Sequence, residues 1–156
     1  MLLYLLRHAD AATEAAHDDD RTLSEKGLEQ ARRVAQFCRS HDVLPGLILT
    51  SPLPRAKQTA EPVALALKCE LKTVPWLASG MTPQTAVEEL KAYRGQTSLM
   101  ITGHEPDFSA LVAHLMGLPS NTLLHLRKGS LTAVQLDVLR AGAGRLEYSV
   151  PCRFMS

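Results

Sequence analysis

The chain has no excess of either charge: 17 Lys and Arg stand against 16 Asp and Glu, a formal net charge of +1. Nucleic-acid binders carry a basic surplus gathered in clusters, so the balance argues against that partner class and leaves a small or protein-borne ligand. Cysteine is equally sparse. Cys38, Cys69 and Cys152 are odd in number, far apart and in no Cys-x-x-Cys arrangement, which argues against a disulfide framework or a zinc site and fits a reducing cytoplasm. No apolar run approaches the roughly 18 residues that a membrane span needs. The apolar start, Leu2 to Leu6, is one short strand long and runs straight into Arg7, unlike a signal peptide. Repeats, low-complexity tracts and linkers are missing too. What is present, 46% hydrophobic and 21% charged residues over 156 positions, suits one cytoplasmic domain spanning residues 1–156.

The pattern of that domain alternates between strands and helices. Leu2-Leu3-Tyr4-Leu5-Leu6 reads as a strand buried on both faces. A polar loop with Asp18-Asp19-Asp20 and Arg21 closes at Ser24, a cap for a helix over Glu25–Ser40 whose inward stripe is Leu28, Ala31, Val34, Ala35 and Cys38. Leu47-Ile48-Leu49 is a second buried strand. The helix after it, Pro54 to Leu67, contains Pro62, where a kink or short break is expected. Further elements are a strand over Glu70–Val74, a helix over Pro83–Tyr93, a strand over Thr97–Thr102 and a helix over Pro106–Met116. Strands near Thr122–Leu126, Ser130–Val138 and Arg145–Val150 complete the chain, with turns at Lys128-Gly129 and Gly142–Gly144. The order implies an α/β fold of three layers, a mostly parallel sheet with an antiparallel edge and helices on both faces.

In such sheets ligands collect at the carboxyl ends of the strands. Three strands deliver polar residues there: Arg7-His8, then Ser51 to Arg55, then His104-Glu105. Two guanidinium forks and two imidazoles suit a phosphoryl group, because Arg matches phosphate oxygens and a neutral imidazole can attack phosphorus. Arg55 in a first helical turn opposes the helix dipole, a conflict that a bound anion resolves. Each His alone reads as a packing residue, and only the constellation lifts the pair above that. His17 and His41 sit in polar contexts; His114 and His125 suit core or partly buried positions. The Asp18–Asp20 run reads as a solvated loop, Arg32-Arg33 as an exposed helix face, and the six histidines offer no metal-ligand spacing.

Leu6-Arg7-His8-Ala9-Asp10, Thr50-Ser51-Pro52-Leu53-Pro54-Arg55-Ala56-Lys57-Gln58-Thr59 and Gly103-His104-Glu105-Pro106 resemble the motifs of the histidine phosphatase superfamily, the phosphoglycerate mutase-like fold. The short chain, Arg21-Thr22-Leu23-Ser24 and Pro151-Cys152 are most similar to its SixA-type branch of phosphohistidine phosphatases. The resemblance implies His8 as the nucleophile, with Arg7, Arg55 and His104 completing a phosphate pocket. It implies Arg21, Ser51 and Glu105 as substrate contacts, no cofactor and no metal. Ala9 stands where the family usually has Gly. Larger members protonate an alkoxide leaving group with an acid helped by an inserted cap, and no insertion of that length is present. Glu88, Glu89, Glu105 and Asp107 match no donor motif, which tilts the substrate toward phosphohistidine, whose imidazole leaves with less acid help. The expected partner is a phosphorylated protein of histidine-phosphotransfer or phosphotransferase-system type, or a small phosphorylated molecule. Alternatives are a small-molecule phosphoester phosphatase using Glu105 or an acid of the 80s loop, a phosphoprotein-binding module without turnover, and a mutase.

Overall fold

The computed structural model describes residues 1–156, except for the side chain of Thr122. Strand β1 (Leu2–Arg7) is apolar at both alternating sets of positions because helices cover both sides of it. Leu3 and Leu5 join one core cluster, while Tyr4 and Leu6 join the cluster on the other face. The partners β2 (Ile48–Thr50), β3 (Leu71–Thr73), β4 (Ser98–Gly103), β5 (Leu131–Leu136) and β6 (Gly144–Val150) form with it one sheet of order β3-β2-β4-β1-β5-β6. The pairings β3-β2, β2-β4 and β4-β1 are parallel, whereas β5 runs antiparallel to β1 and β6 antiparallel to β5. The expected parallel sheet with an antiparallel edge is what forms.

Crossover handedness decides which helix lies where. From β1 the chain steps outward to β2 through α1 (Glu25–Ser40) and on to β3 through α2 (Pro54–Leu67). It then reverses direction across the sheet through α3 (Pro83–Leu90) to β4. Right-handed connections put helices of opposite stepping direction on opposite faces. Accordingly Val34, Ala35 and Cys38 of α1 and Ala60, Val63 and Ala64 of α2 pack on Tyr4, Leu6, Ile48 and Met100. Ala86 and Leu90 of α3, with Phe108, Leu111 and Leu115 of α4 (Asp107–Met116), pack on Leu3, Leu5, Leu49 and Ile101. Between β3 and β4 the chain holds only α3 and two short 3-10 turns, so no cap is inserted over the sheet edge.

Register then brings the motifs together. Leu6 and Thr50 both pair with Thr102, and Arg7 pairs with Gly103. The amides that follow continue the ladder, His8 N–H to the Gly103 carbonyl at 2.9 Å and Ser51 N–H to the Thr102 carbonyl at 3.0 Å. His8, Ser51 and His104 therefore leave three adjacent parallel strands at one level.

Some expectations change. α1 begins and ends as read, and Ser24 Oγ accepts from the Gly27 amide at 3.0 Å. Gly27 takes the inward place given to Leu28, which is 38% exposed. Pro62 lies inside α2 without ending it, costing one intrahelical donor rather than the helix. The segment expected as a strand at Thr122–Leu126 is a 3-10 turn at Asn121–Leu123 followed by irregular chain. The Leu126 carbonyl accepts from Nη1 of Arg7 at 2.9 Å instead of joining a ladder.

Gly27 is required by a close approach. A Cβ there would lie 1.9 Å from the Asp10 carbonyl oxygen and 2.9 Å from its carbon, both backbone atoms at the end of the His8 motif. Gly27→Ala is expected to lower unfolding stability by about 1–3 kcal/mol through overpacking, whereas Gln36→Ala on the exposed face of α1 stays within about 0.5 kcal/mol. Urea melts of both variants check this, and an unchanged midpoint for Gly27→Ala would contradict the packing described.

Candidate active site

His8 is 8% exposed, and its Nδ1 lies 2.7 Å from the Ala9 carbonyl oxygen. A carbonyl only accepts, so Nδ1 carries the proton and Nε2 keeps its lone pair. The backbone that holds this carbonyl is itself tied down. Ala9 N–H donates to Oγ1 of Thr59 at 3.0 Å, and that hydroxyl donates to the Arg55 carbonyl at 2.7 Å. From the other side, Gly129 N–H reaches the carbonyls of Arg7 and His8, each at 3.2 Å. Gly129 makes this turn at φ +71°, a left-handed conformation suited to glycine.

The ring of His104, 2% exposed, stands with its centroid 5.2 Å from that of His8 and tilted by 55°. Its Nε2 is 2.8 Å from Oγ of Ser51, and the same oxygen accepts from the Leu53 amide at 3.1 Å. Both groups are satisfied if the serine hydroxyl donates to Nε2. Nδ1 of His104 is then an N–H donor, and it is buried with no partner among the described residues. Nε of Arg7 is in the same condition. Two buried donors without acceptors beside an imidazole nitrogen that keeps its lone pair suit a bound anion.

Arg55 supplies a further fork. The side chain lies in the first turn of α2, whose start has no side-chain cap and no acidic residue, so the helix dipole adds to its attraction for an anion. Arg55 is 5% exposed, and Asp18 engages it: Nη1 donates to the Asp18 carbonyl at 2.9 Å and Nη2 lies 3.4 Å from Oδ2. The solvated loop expected at Asp18–Asp20 is thus a short 3-10 turn with one carboxylate laid against the site.

Electrostatics follow from this packing. Burial, then the positive charges of Arg55, Arg7 and Lys128, push the His8 imidazole down to about 4, against the opposing bond to Ala9. Burial, the neighbouring His8 and Arg55 push His104 down to about 3. Both rings are neutral at pH 7. Asp18 is held below the usual carboxylate range by its bond to Arg21 and by Arg55, so it is ionised there.

The remaining candidates sit one step back. Arg21 gives Nε to the Ala12 carbonyl at 2.8 Å, Nη2 to the Ala11 carbonyl at 3.1 Å and Nη1 to Asp18 at 3.1 Å, clasping the loop that carries Asp18. Glu105 accepts from the amide of Ser109 at 2.7 Å and from its hydroxyl, which fixes it on the first turn of α4. Asp107 accepts from the amides of Gly80 and Met81. The role of Thr59 emerges only from the register between α2 and the loop after β1. No group of side chains suited to a metal ion occurs among the described residues.

Comparison with known proteins finds relatives along the length of the chain. The family model "Histidine phosphatase superfamily (branch 1)" matches residues 3–79. The chain is 31% identical to the phosphohistidine phosphatase SixA of Escherichia coli (strain K12), over 97% of this chain and 95% of that protein. A solved structure of the protein histidine phosphatase SixA complexed with tungstate superposes with a TM-score of 0.88 at 28% identity, covering 100% of both chains. A putative alpha-ribazole-5'-P phosphatase from Escherichia coli shares the fold at a TM-score of 0.78 and 18% identity, over 94% of this chain and 95% of that one.

The lowered imidazoles have a measurable consequence. In the unfolded chain both rings titrate near pH 6.5, so below that the unfolded state binds protons that the folded state does not. Stability contributed by the neutral rings is present above pH 6.5 and is lost as pH falls toward about 4. NMR of ¹⁵N-labelled imidazoles should show His8 and His104 neutral down to about pH 5, with proton on Nδ1 of His8; midpoints near 6.5 would contradict the burial described.

Proposed function

The chain belongs to the histidine phosphatase superfamily, and from that premise we propose that it hydrolyses phosphohistidine on a protein partner through a phosphorylated His8. The observation that carries the reading is the fixed tautomer of His8, with a free Nε2 lone pair among Arg7, Arg55 and the unpartnered Nδ1–H of His104. In the first step Nε2 attacks phosphorus, the bond from phosphorus to the substrate imidazole breaks, and the departing nitrogen takes a proton from solvent. Water then attacks the phosphoryl group on His8, releasing inorganic phosphate and returning the electron pair to Nε2.

The arginines and His104 hold the three phosphoryl oxygens and gain in strength as charge spreads over them. The oxyanion enters the Arg55 fork in place of the Asp18 carboxylate, which swings aside with its loop. Ser51 is a positioning residue that keeps His104 in the donating tautomer. Arg21 and Glu105 act at one remove, the first through the Asp18 loop and the second through the start of α4. Tungstate, a tetrahedral oxyanion like phosphate, is named with the SixA structure, and this supports an oxyanion in the matching pocket here.

The surroundings favour phosphohistidine over an alkyl phosphate. Expulsion of an alkoxide needs a proton donor, yet both Glu105 oxygens are taken by Ser109, Oδ2 of Asp107 accepts from two backbone amides although burial raises its carboxyl, and Asp18 is held ionised by Arg21 and Arg55. Imidazole needs less such help, because solvent can supply its proton. Residues 1–156 acting as one histidine phosphatase domain, needing neither cofactor nor metal, belong to the same proposal, as does a location in the cytoplasm. The three cysteines are unpaired, and no helix among the described residues is long and apolar enough to cross a membrane.

Alkaline quench of a reaction with a phosphorylated histidine peptide is expected to trap acid-labile phosphate on His8. His8→Ala should lower turnover by about 10³-fold or more, and Arg55→Ala by about 10²–10³-fold. Phosphoramidate should be hydrolysed at least about tenfold faster than an alkyl phosphate, since only the latter needs the missing acid. Full turnover by His8→Ala, or preference for the alkyl ester, would reject the proposal.

A further inference from the structure

Beside the phosphate pocket lies a groove of which the chemistry above uses only Arg7. It encloses about 420 Å³ and is walled by five cations, Arg7, Lys26, Arg127, Lys128 and Arg153, against a single carboxylate, Asp10. A second hollow of about 260 Å³ shares Lys26, Gln30, Cys152 and Arg153 with it and adds Arg33 and Glu29. Six of the chain's 17 Lys and Arg therefore line one channel with only two of its 16 Asp and Glu, although the net charge is +1. Three separate parts of the fold build it. Lys26, Gln30 and Arg33 form a stripe on α1 at spacings of four and three. Arg127 and Lys128 come from the turn before β5, and Arg153 from the 3-10 turn at Cys152–Phe154.

Apart from half-buried Arg7 these cations are exposed, with Arg153 lying over the Phe154 ring at 4.7 Å. Lys128 is paired with Asp10 at 2.9 Å, while Lys26, Arg33, Arg127 and Arg153 have no carboxylate partner among the described residues. The groove is also continuous with the chemistry, because Arg7 lies in both and the charge of Lys128 reaches the His8 ring.

We infer that this groove docks an acidic face of the phosphorylated protein, a run or cluster of Asp and Glu beside the phosphohistidine; the inference rests on the phosphatase reading and names its partner's chemistry. Exposed cations on flexible stems contribute little one at a time in water. A small phosphoester that touched one or two of them would gain little, whereas a multiply acidic surface engages several at once and is steered during encounter. Cations gathered from three separate parts of the fold fit a multiply acidic surface rather than a second phosphate of a small molecule.

The test uses the whole chain and two peptides of equal length, each bearing one phosphohistidine, flanked by Asp and Glu in one and by Ser and Gln in the other. Phosphoramidate is the reference substrate. At low salt kcat/KM for the acidic peptide is expected to exceed that for the neutral one by about tenfold, and the gap to close toward about 0.5 M salt. The triple variant Lys26→Glu, Arg127→Glu, Arg153→Glu should erase or invert the preference, read as the acidic-peptide rate relative to phosphoramidate. If that variant fails to fold, Lys26→Ala and Arg127→Ala, each expected to lose about threefold of the preference, carry the test. No preference in the unmodified protein, or a preference that survives charge reversal, overturns the inference while leaving the phosphatase reading intact. A groove that instead speeds a small diphosphorylated substrate and ignores the peptides also overturns it. Loss of turnover on all three substrates rejects the phosphatase reading, and salt-dependent binding of the acidic peptide, measured by fluorescence anisotropy, then decides the groove separately.

Discussion

The hydrogen bond from Nδ1 of His8 to the Ala9 carbonyl, 2.7 Å long, is the constraint on which the site depends. It fixes which nitrogen carries the proton and therefore which nitrogen can attack. An imidazole free to exchange tautomers would spend part of its time with its lone pair turned away from the ligand. Much of the neighbouring structure serves that carbonyl. Thr59 holds the Ala9 amide, Gly129 approaches the backbone from behind, and Gly27 lets α1 lie directly on Asp10. The sheet provides the frame by bringing the ends of β1, β2 and β4 to one level.

Charge is managed with the same economy. Burial, reinforced by Arg55 and Arg7 and at His8 also by Lys128, keeps both imidazoles neutral, which in the proposed reaction serves the nucleophile while the phosphoryl group supplies the missing negative charge. Until it arrives, Asp18 compensates Arg55 from a loop that Arg21 clasps. A near-neutral chain can thus hold a strongly cationic pocket and groove on one edge. In the proposed reading Asp18, Glu105 and Asp107 donate no proton to a leaving group, because Asp18 is held by guanidinium groups and the other two accept from backbone amides.

Much of this was legible in the sequence because it was written in local terms. Runs apolar at every position marked β1, β2 and β4, and Ser24 marked the start of α1. The motif residues His8, Ser51, Arg55 and His104 follow strand ends, so strand recognition placed them at one edge. The misreadings arose where a long-range partner overrode a local pattern. Leu28 looked inward by spacing, but the backbone of Asp10 takes the inward position and admits only Gly27. The segment after Asn121 resembles a strand, yet its Leu126 carbonyl is claimed by Arg7 from across the fold. Helical spacing puts Thr59 on the inward face of α2, but its role and that of Asp18 exist only once α2 and the loop after β1 are side by side.

The central claim is that Nε2 of His8 is the atom that meets phosphorus while Nδ1 stays bonded to Ala9. A crystal structure of the protein with orthovanadate tests it most directly. The account predicts vanadium bonded to Nε2 of His8, with its equatorial oxygens on Arg7, Arg55 and Nδ1 of His104, and with Asp18 displaced from Arg55. Vanadium bonded to Nδ1, or an oxyanion seated away from His8 with Asp18 still in place, would contradict it.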